Sequence, residues 1–339
     1  MIEYLNRLVR GENLSEPEAA RAMELIMRDE ATPIQIAGFI VALRMKGESV
    51  EELSGLARTA RALATPIRVD DAAGLLDTCG TGGDGSGSFN ISTLAAIVAT
   101  ACGARVAKHG NRAASSTCGS ADVLEALGVR IDLPPEGVAA CIREAGIGFL
   151  FAPIFHPSFR YAGQPRRELG IRTVFNVLGP LCNPAGARRQ ALGVPEPGLA
   201  AKMAEVLLRL DVERALVFHA EGLDELSTVG PSLVIELLDG ERRSYQLDAS
   251  ELGLPRATRE DLRGGGPAEN AVIARELLEG ARGPRRDVVL LNASAALRAA
   301  GIARDWREGL ALSAEALDQG RAAAVLDRWV NVSKSAAVA

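Results

Sequence analysis

Leu76-Asp77-Thr78-Cys79-Gly80-Thr81-Gly82-Gly83-Asp84-Gly85-Ser86-Gly87-Ser88 runs out of a short aliphatic segment into a loop in which five of the eight residues from Gly80 to Gly87 are glycine. A helix-forming stretch begins near Ile91. Strand, glycine loop and helix in that order present backbone N–H groups to an anion, with a helix N-terminus behind them. Gly80, Gly82 and Gly85 also satisfy the dinucleotide pattern G-x-G-x-x-G. That pattern wants an acidic residue about 20 positions on for the ribose hydroxyls, whereas the second strand here ends in Lys108-His109-Gly110-Asn111-Arg112. No Gly-Lys-Ser/Thr follows, so a Walker A loop fails too. A flexible surface loop is the plainer alternative, but it does not explain the ordered strand, loop and helix. Phosphate binding does.

Asp84 is the odd member of the loop. A carboxylate beside bound phosphate repels it unless a cation lies between them, directly or through water; capping of the following turn is the alternative. Directly after the loop, Asn90-Ile91-Ser92-Thr93 brings three polar residues in four to the helix start. Each alone reads as an N-cap, and together they read as contacts to a phosphate or a metal-bound water. Lys108-His109-Gly110-Asn111-Arg112-Ala113-Ala114-Ser115-Ser116 follows the next strand and so lies at the carboxyl edge of the sheet, where open α/β folds bind ligands. Lys108 and Arg112 can neutralise phosphate while Ser115, Ser116 and nearby amides donate hydrogen bonds. A solvated strip is the usual reading of a charge cluster, but interleaved Gly, Asn and Ser argue against it. Gly222-Leu223-Asp224-Glu225-Leu226 follows a later strand, and an adjacent Asp-Glu pair at a strand end can hold Mg²⁺ with several waters. Alone the pair is a weak signal; beside a polyphosphate site it gains weight.

Outward from these motifs the chain is written in two styles. Residues 1–65 read as short helices, with capping boxes at Ser15/Glu18 and Ser49/Glu52 and a further start at Thr32-Pro33. Ala64-Thr65-Pro66 ends that block and reads as a hinge within 64–75. Beyond it, strands are predicted at Leu75–Thr78, Arg105–Lys108, Gly148–Phe151, Gln190–Val194 and Ala215–His219. Helices are predicted near 92–102, 120–128, 136–145, 198–210, 268–280 and 287–300. Residues 232–247 read as an antiparallel hairpin turning at Asp239-Gly240. The expected fold class is α/β: a small N-terminal helical domain (1–65) hinged to a larger domain (66–339) with a mostly parallel, helix-covered sheet.

Composition narrows the function classes. The 339 residues are 47% apolar and carry a net charge of -5, which counts against a nucleic-acid coat, and the apolar runs are too short for a membrane span. Cys79, Cys102, Cys118, Cys141 and Cys182 are odd in number and lack C-x-x-C spacing, so reduced thiols in a cytoplasm are expected rather than a disulfide framework or zinc ribbon. The N-terminus lacks a basic region followed by an apolar stretch, so no signal peptide is expected. His109, His156 and His219 have no helical metal-ligand spacing.

Taken together, the motifs resemble the anthranilate phosphoribosyltransferases, the tryptophan-pathway family of the glycosyltransferase family 3 and class II nucleoside-phosphorylase fold group. The resemblance runs from about residue 4 to 330 and includes Gly80–Asp84, Asn90–Thr93, Lys108–Ser116, Gly119–Glu125, Arg167–Thr173, Phe175–Pro180 and Gly222–Glu225. It implies transfer of phosphoribose from 5-phosphoribosyl 1-pyrophosphate (PRPP) to the amino group of anthranilate. It further implies PRPP contacts from Gly80, Gly83, Asp84, Ser88, Asn90, Ile91, Ser92, Thr93, Lys108, His109, Gly110, Asn111, Arg112, Ala113, Ala114, Ser115, Ser116 and Ser120. Anthranilate contacts fall on Gly80, Asn111 and Arg166, the last pairing its carboxylate. Mg²⁺, as two ions, falls on Ser92, Asp224 and Glu225, with Asp84 acting through water. The resemblance also implies a homodimer through the helical domain and a helical contribution to that domain from about 157–180, while the charge and the short apolar runs leave no nucleic-acid or membrane partner expected.

Two departures from the family pattern bear on anthranilate. The family reads Ala-Pro-Val-Arg where this chain has Gly163-Gln164-Pro165-Arg166, so Pro165 restricts the backbone just before the arginine. Phe159 stands where a smaller or unbranched residue is frequent. His109 is either the acceptor of the amine's proton or a residue that positions the loop. His156 either lines the anthranilate entrance or caps the next helix. Two competing functions share the fold: a nucleic-acid-binding branch, disfavoured by the charge and the Asp224-Glu225 pair, and a nucleoside phosphorylase, whose phosphate loop reads differently.

Overall fold

The computed structural model describes residues 1–113 and 117–337; Ala114, Ser115 and Ser116, named above as phosphate contacts, lie outside the described residues. Seven strands are formed: β1 (Leu76–Gly80), β2 (Val106–Gly110), β3 (Ile147–Phe151), β4 (Arg189–Gly193), β5 (Arg214–His219), β6 (Ser232–Leu238) and β7 (Glu241–Leu247). They make one sheet in the order β3-β2-β1-β4-β5-β6-β7, parallel through β5 and antiparallel beyond it. Every predicted strand is present within one or two residues. β1 and β2 run two residues past their aliphatic pattern, because Cys79 and Gly80 pair with Leu192 and Gly193, and His109 and Gly110 with Leu150 and Phe151. Backbone pairing to neighbours carries them where side-chain preference is silent. The β6–β7 turn places Asp239 and Gly240 at φ of 54° and 80°, as a two-residue type I′ turn requires.

Alternate residues along the strands serve two cores. Ala191, Leu216, Phe218 and Val234 face the layer of helices Ile91–Ala101 and Pro284–Ala300, whereas Leu192, Val217 and Ile235 join a second cluster. That second cluster holds the N-terminal helices Ile2–Val9, Glu16–Met27, Pro33–Lys46 and Val50–Ala62, which reach the sheet through helix Pro197–Arg209. Ser15, Thr32 and Ser49 each form a capping box with the residue three positions on, a device worth about 1 kcal/mol per helix. At the junction, the Thr65 N–H donates to the Phe155 carbonyl at 2.8 Å. The connection from β3 to β4 starts there. It carries helices Arg160–Leu169 and Val174–Leu178, which pack on the N-terminal helices, and it brings the chain from the far side of β2 to the other side of β1. Strand order reverses at β1 and β4, and the crevice above such a reversal is where open α/β sheets bind ligands. Among the described residues no helix is long and apolar enough to cross a membrane, and all five cysteines are free.

Candidate active site

The crevice is built around glycines that let other groups approach. A Cβ on Gly80 would lie 2.1 Å from Asp224 Oδ2, and one on Gly193 would lie 1.6 Å from the Asp224 carbonyl. The ends of β1 and β4 thus form a seat for Asp224 that no larger residue permits. Gly82 and Gly83 follow at φ of 71° and 72°, in the left-handed region. The Gly82 N–H donates to Asp224 Oδ2 at 2.7 Å, and Arg172 Nη1 donates to the carbonyls of Gly82 and Gly83 at 2.7 Å each. Asp84 Oδ1 accepts from the Ser86 N–H at 3.1 Å, so the turn-capping alternative holds for one oxygen; Oδ2 is buried without a partner. Ser88 closes the turn, its N–H donating to Ser86 Oγ at 3.2 Å. Asn90 is occupied at both ends, donating to the Cys118 carbonyl at 3.1 Å and accepting from Asn270 at 2.9 Å. Ile91 is core, the Ser92 N–H donates to Glu225 Oε1 at 3.1 Å, and Thr93 Oγ1 is buried and unpartnered.

The basic motif divides between interior and surface. Lys108 is only 1% exposed and its ammonium donates to the Thr78 carbonyl. Burial holds its pKa below the ordinary lysine value, with the charges of Asp77, Cys79 and Glu225 acting the other way. Because β2 extends to Gly110, Lys108 belongs to a paired strand and not to the loop. Its buried ammonium acts electrostatically on Glu225 instead of lying on the loop surface. His109 donates its N–H to Asp77 Oδ1 at 3.1 Å, and its Nδ1 lies 3.0 Å from the Gly179 carbonyl. A carbonyl only accepts, so the Nδ1 proton is on that side and Nε2 keeps its lone pair. Nε2 is buried without a partner. Burial pushes His109 down to about 4, opposed by the Gly179 carbonyl and assisted by Lys108. A Cβ on Gly110 would lie 2.3 Å from Ser120 Oγ, whose hydroxyl donates to the Asn111 carbonyl at 3.3 Å. Arg112 is paired, with bonds to Asp122 at 3.0 Å and Glu125 at 2.9 Å, and the Ala113 N–H also donates to Asp122, at 2.9 Å.

In the loop after β5, Glu225 is buried and Asp224 half-buried. Burial first, and then the charge of Asp84, push Asp224 up to about 7. Burial and then Asp224 push Glu225 up to about 8, with Lys108 opposing. Crowded buried carboxylates and one orphaned carboxylate oxygen are the electrostatics of a cation site. Among the described residues no three side chains form a ready-made metal cage. Mg²⁺ keeps waters and takes one or two carboxylates together with substrate phosphates, and Asp224 and Glu225 are two adjacent carboxylates.

Opposite, the β3–β4 connection supplies a different surface. Arg166 is half-buried with its guanidinium 5.3 Å over the Phe175 ring, and burial lowers its pKa. Phe175 meets Phe159 edge-on at 5.6 Å, Phe159 stacks on His156 at 4.9 Å, and His156 lies 5.0 Å from His109. A file of rings therefore runs from Arg166 to His109. His156 is 3% exposed and its Nε2 lies 3.0 Å from the Cys182 carbonyl; burial and then His109 push it down to about 3. Phe159 is a ring of this wall, and helix Arg160–Leu169 continues through the buried Pro165.

Several residues of the site are given no role by the local sequence. Asn183 donates to Asp77 Oδ2 at 2.8 Å, Asn270 orders Asn90, Gly193 seats Asp224 and Arg172 holds the glycine loop. Asp77 alone offered a hint, as a charge inside an aliphatic strand.

Comparison with known proteins agrees with this arrangement. The model of a glycosyl transferase family α/β domain matches residues 72–323, and that of the family's helical bundle domain matches residues 2–64. Anthranilate phosphoribosyltransferase 2 of Streptomyces coelicolor is 61% identical over 322 residues, covering 94% of this chain and 96% of that one. The Moorella thermoacetica anthranilate phosphoribosyltransferase is 54% identical over 327 residues, 96% of each chain. The crystal structure of anthranilate phosphoribosyltransferase from Thermus thermophilus superposes with a TM-score of 0.92 at 50% identity, covering 98% of this chain and 99% of that one. The Saccharomyces cerevisiae anthranilate phosphoribosyltransferase in complex with PRPP and Mg gives 0.90 at 28% identity over 98% of both chains.

Proposed function

The chain belongs to the anthranilate phosphoribosyltransferases of the glycosyl transferase family, and from that premise we propose how its site divides the work. The protein transfers the phosphoribosyl group of PRPP to the amino group of anthranilate, giving N-(5-phosphoribosyl)anthranilate and pyrophosphate in tryptophan biosynthesis. One observation carries the reading of the site: the motif that begins at Lys108 joins both halves. Its backbone leads into the phosphate side, and the His109 ring opens the aromatic file that ends at Arg166.

The glycine loop from Gly80 to Ser88, the helix start Asn90–Thr93, and the stretch Gly110–Ser116 with Ser120 bind PRPP through amides and hydroxyls. Asp224, Glu225 and the Ser92 hydroxyl hold magnesium, two ions in all, with Asp84 acting through water. When bound, Mg²⁺ offsets the negative charge that builds on the departing pyrophosphate. Lys108 fixes the field behind Glu225. Arg166 pairs the anthranilate carboxylate, flanked by Gly80 and Asn111, and the rings of Phe159 and His156 exclude water beside it. The amine is then placed to attack C1 of the ribose from the face opposite the leaving group. His109 accepts a hydrogen bond from the amine at Nε2. With burial holding it at about 4, the ring stays neutral at pH 7 and is available as an acceptor.

Exposed Ile2, Val9, Ile34 and Met45 on the first and third helices support a homodimer through that face. The five free cysteines and the biosynthetic substrates support a cytoplasmic location. The deciding experiment follows anthranilate fluorescence. Its loss must require both PRPP and Mg²⁺, and no turnover with both supplied overturns the reading. Phosphate-dependent base release from nucleosides would instead favour a phosphorylase.

A further inference from the structure

We propose that Arg172 is the positioning residue of the phosphate loop, turning two successive peptide N–H groups, those of Gly83 and Asp84, toward the phosphates. The inference rests on the reading of this loop as the PRPP site. Within a planar trans peptide the C=O and the next residue's N–H point in opposite directions. Arg172 Nη1 donates at 2.7 Å to both the Gly82 and the Gly83 carbonyl. The N–H groups on the far sides of those two peptides are the ones on Gly83 and Asp84. Among the described residues neither donates to a protein acceptor, whereas the preceding Gly82 N–H is taken by Asp224 and the later Ser86 N–H by Asp84. Successive free N–H groups in a left-handed turn form an anion-binding nest. A guanidinium on their carbonyls polarises both peptides in the helpful sense.

Sequence and packing leave room for this one contact. A Cβ on Gly83 would lie 2.3 Å from Arg172 Nη1, so the guanidinium occupies the space a side chain would need. Arg172 is itself held between two helix ends. Gly170 ends helix Arg160–Leu169 at φ 63°, and the Thr173 N–H donates to Asn176 Oδ1 at 2.9 Å to open the next helix. The segment that presents Arg166 thus also aims the phosphate loop.

The test is calorimetric titration of PRPP with Mg²⁺, in the absence of anthranilate, into the wild type, Arg172→Ala and Arg172→Lys, followed by steady-state kinetics. A supporting residue of this kind changes affinity by about 10- to 100-fold. Arg172→Ala is expected to weaken PRPP by that factor in both Kd and KM, with the anthranilate KM within about twofold. Added guanidinium ion should restore part of the loss, and Arg172→Lys, which keeps the charge but not the planar fork, should fall between. A folded Arg172→Ala with wild-type PRPP affinity, or one that loses both substrates equally, overturns the role. If Arg172→Ala does not fold, Arg172→Lys carries the same criteria. A wild type that binds no PRPP overturns the site reading itself, an outcome distinct from a change confined to the variants.

Discussion

Glu52 and Glu225 are both buried, and their surroundings differ in kind. Glu52 sits at the third position of helix Val50–Ala62 with both carboxylate oxygens answered by the chain: the N–H groups of Leu14 and Ser49 at 2.9 and 2.8 Å, and the Lys46 ammonium at 2.8 Å. Glu225 accepts from Ser92 at 3.1 Å and is otherwise crowded by the charges of Asp224 and Asp84, pushed up to about 8 by burial and then by Asp224, with Lys108 opposing. A buried charge that is paired stabilises the position of the elements that pair it. A buried charge left crowded with its own kind stores unfavourable energy until a cation arrives. The helical layer is finished without a ligand; the sheet's carboxyl edge is not. Orphaned Thr81 Oγ1, Asp84 Oδ2, Thr93 Oγ1 and His109 Nε2 tell the same story atom by atom.

The contrast breaks if the two glutamates respond alike. Glu52→Ala strips three donors of their acceptor and should cost about 3–5 kcal/mol in urea unfolding, with the turnover per folded molecule retained. Asp224→Asn combined with Glu225→Gln should do the reverse. Turnover should fall by about 10²- to 10³-fold, while the Tm without Mg²⁺ at alkaline pH should rise, because the ionised pair that burial disfavours is gone. A lower Tm there would remove the distinction.

Acid sharpens the contrast from another side. His109 and His156 are held neutral at about 4 and about 3. The unfolded histidine binds its proton near pH 6.5, so between that value and the folded pKa the unfolded chain carries more protons and stability falls as pH falls. Each histidine should cost roughly 2 kcal/mol by pH 5, and a double His→Asn variant should flatten that part of the profile. The smallest effect belongs to Arg166, whose charge has no carboxylate partner among the described residues. Arg166→Ala should raise the anthranilate KM by about tenfold, the worth of one charged hydrogen bond. A change confined to the PRPP KM would contradict its place in the site.

Much of this molecule is legible before folding. The capping boxes at Ser15 and Ser49, the helix start at Thr32-Pro33, the aliphatic strand runs and the Asp239-Gly240 turn are local signals, and each yields the element it predicts. The glycine loop and the Asp224-Glu225 pair are legible for a related reason: their chemistry is concentrated in a few consecutive residues. Roles are harder. Lys108 and Arg112 look like two equivalent cations in the chain, yet one is buried with its ammonium on the Thr78 carbonyl and the other is bound to Asp122 and Glu125. Which way a side chain leaves depends on where β2 stops pairing, and that depends on β3.

By itself, then, the sequence determined most of the elements, the fold class and the family, because capping, periodicity and dense motifs act over a few residues, although the C-terminal helices Trp306–Asp318 and Arg321–Ala336 were not among those predicted. Tertiary structure alone decided which groups meet. Asp77 finds Asn183, Gly193 makes room for Asp224, and Arg172 reaches the carbonyls of Gly82 and Gly83. Those contacts join segments far apart in the chain, and their energies depend on burial and distance that no local pattern encodes. The loop after β1 is written in glycine; two of its carbonyls are held by an arginine from another segment.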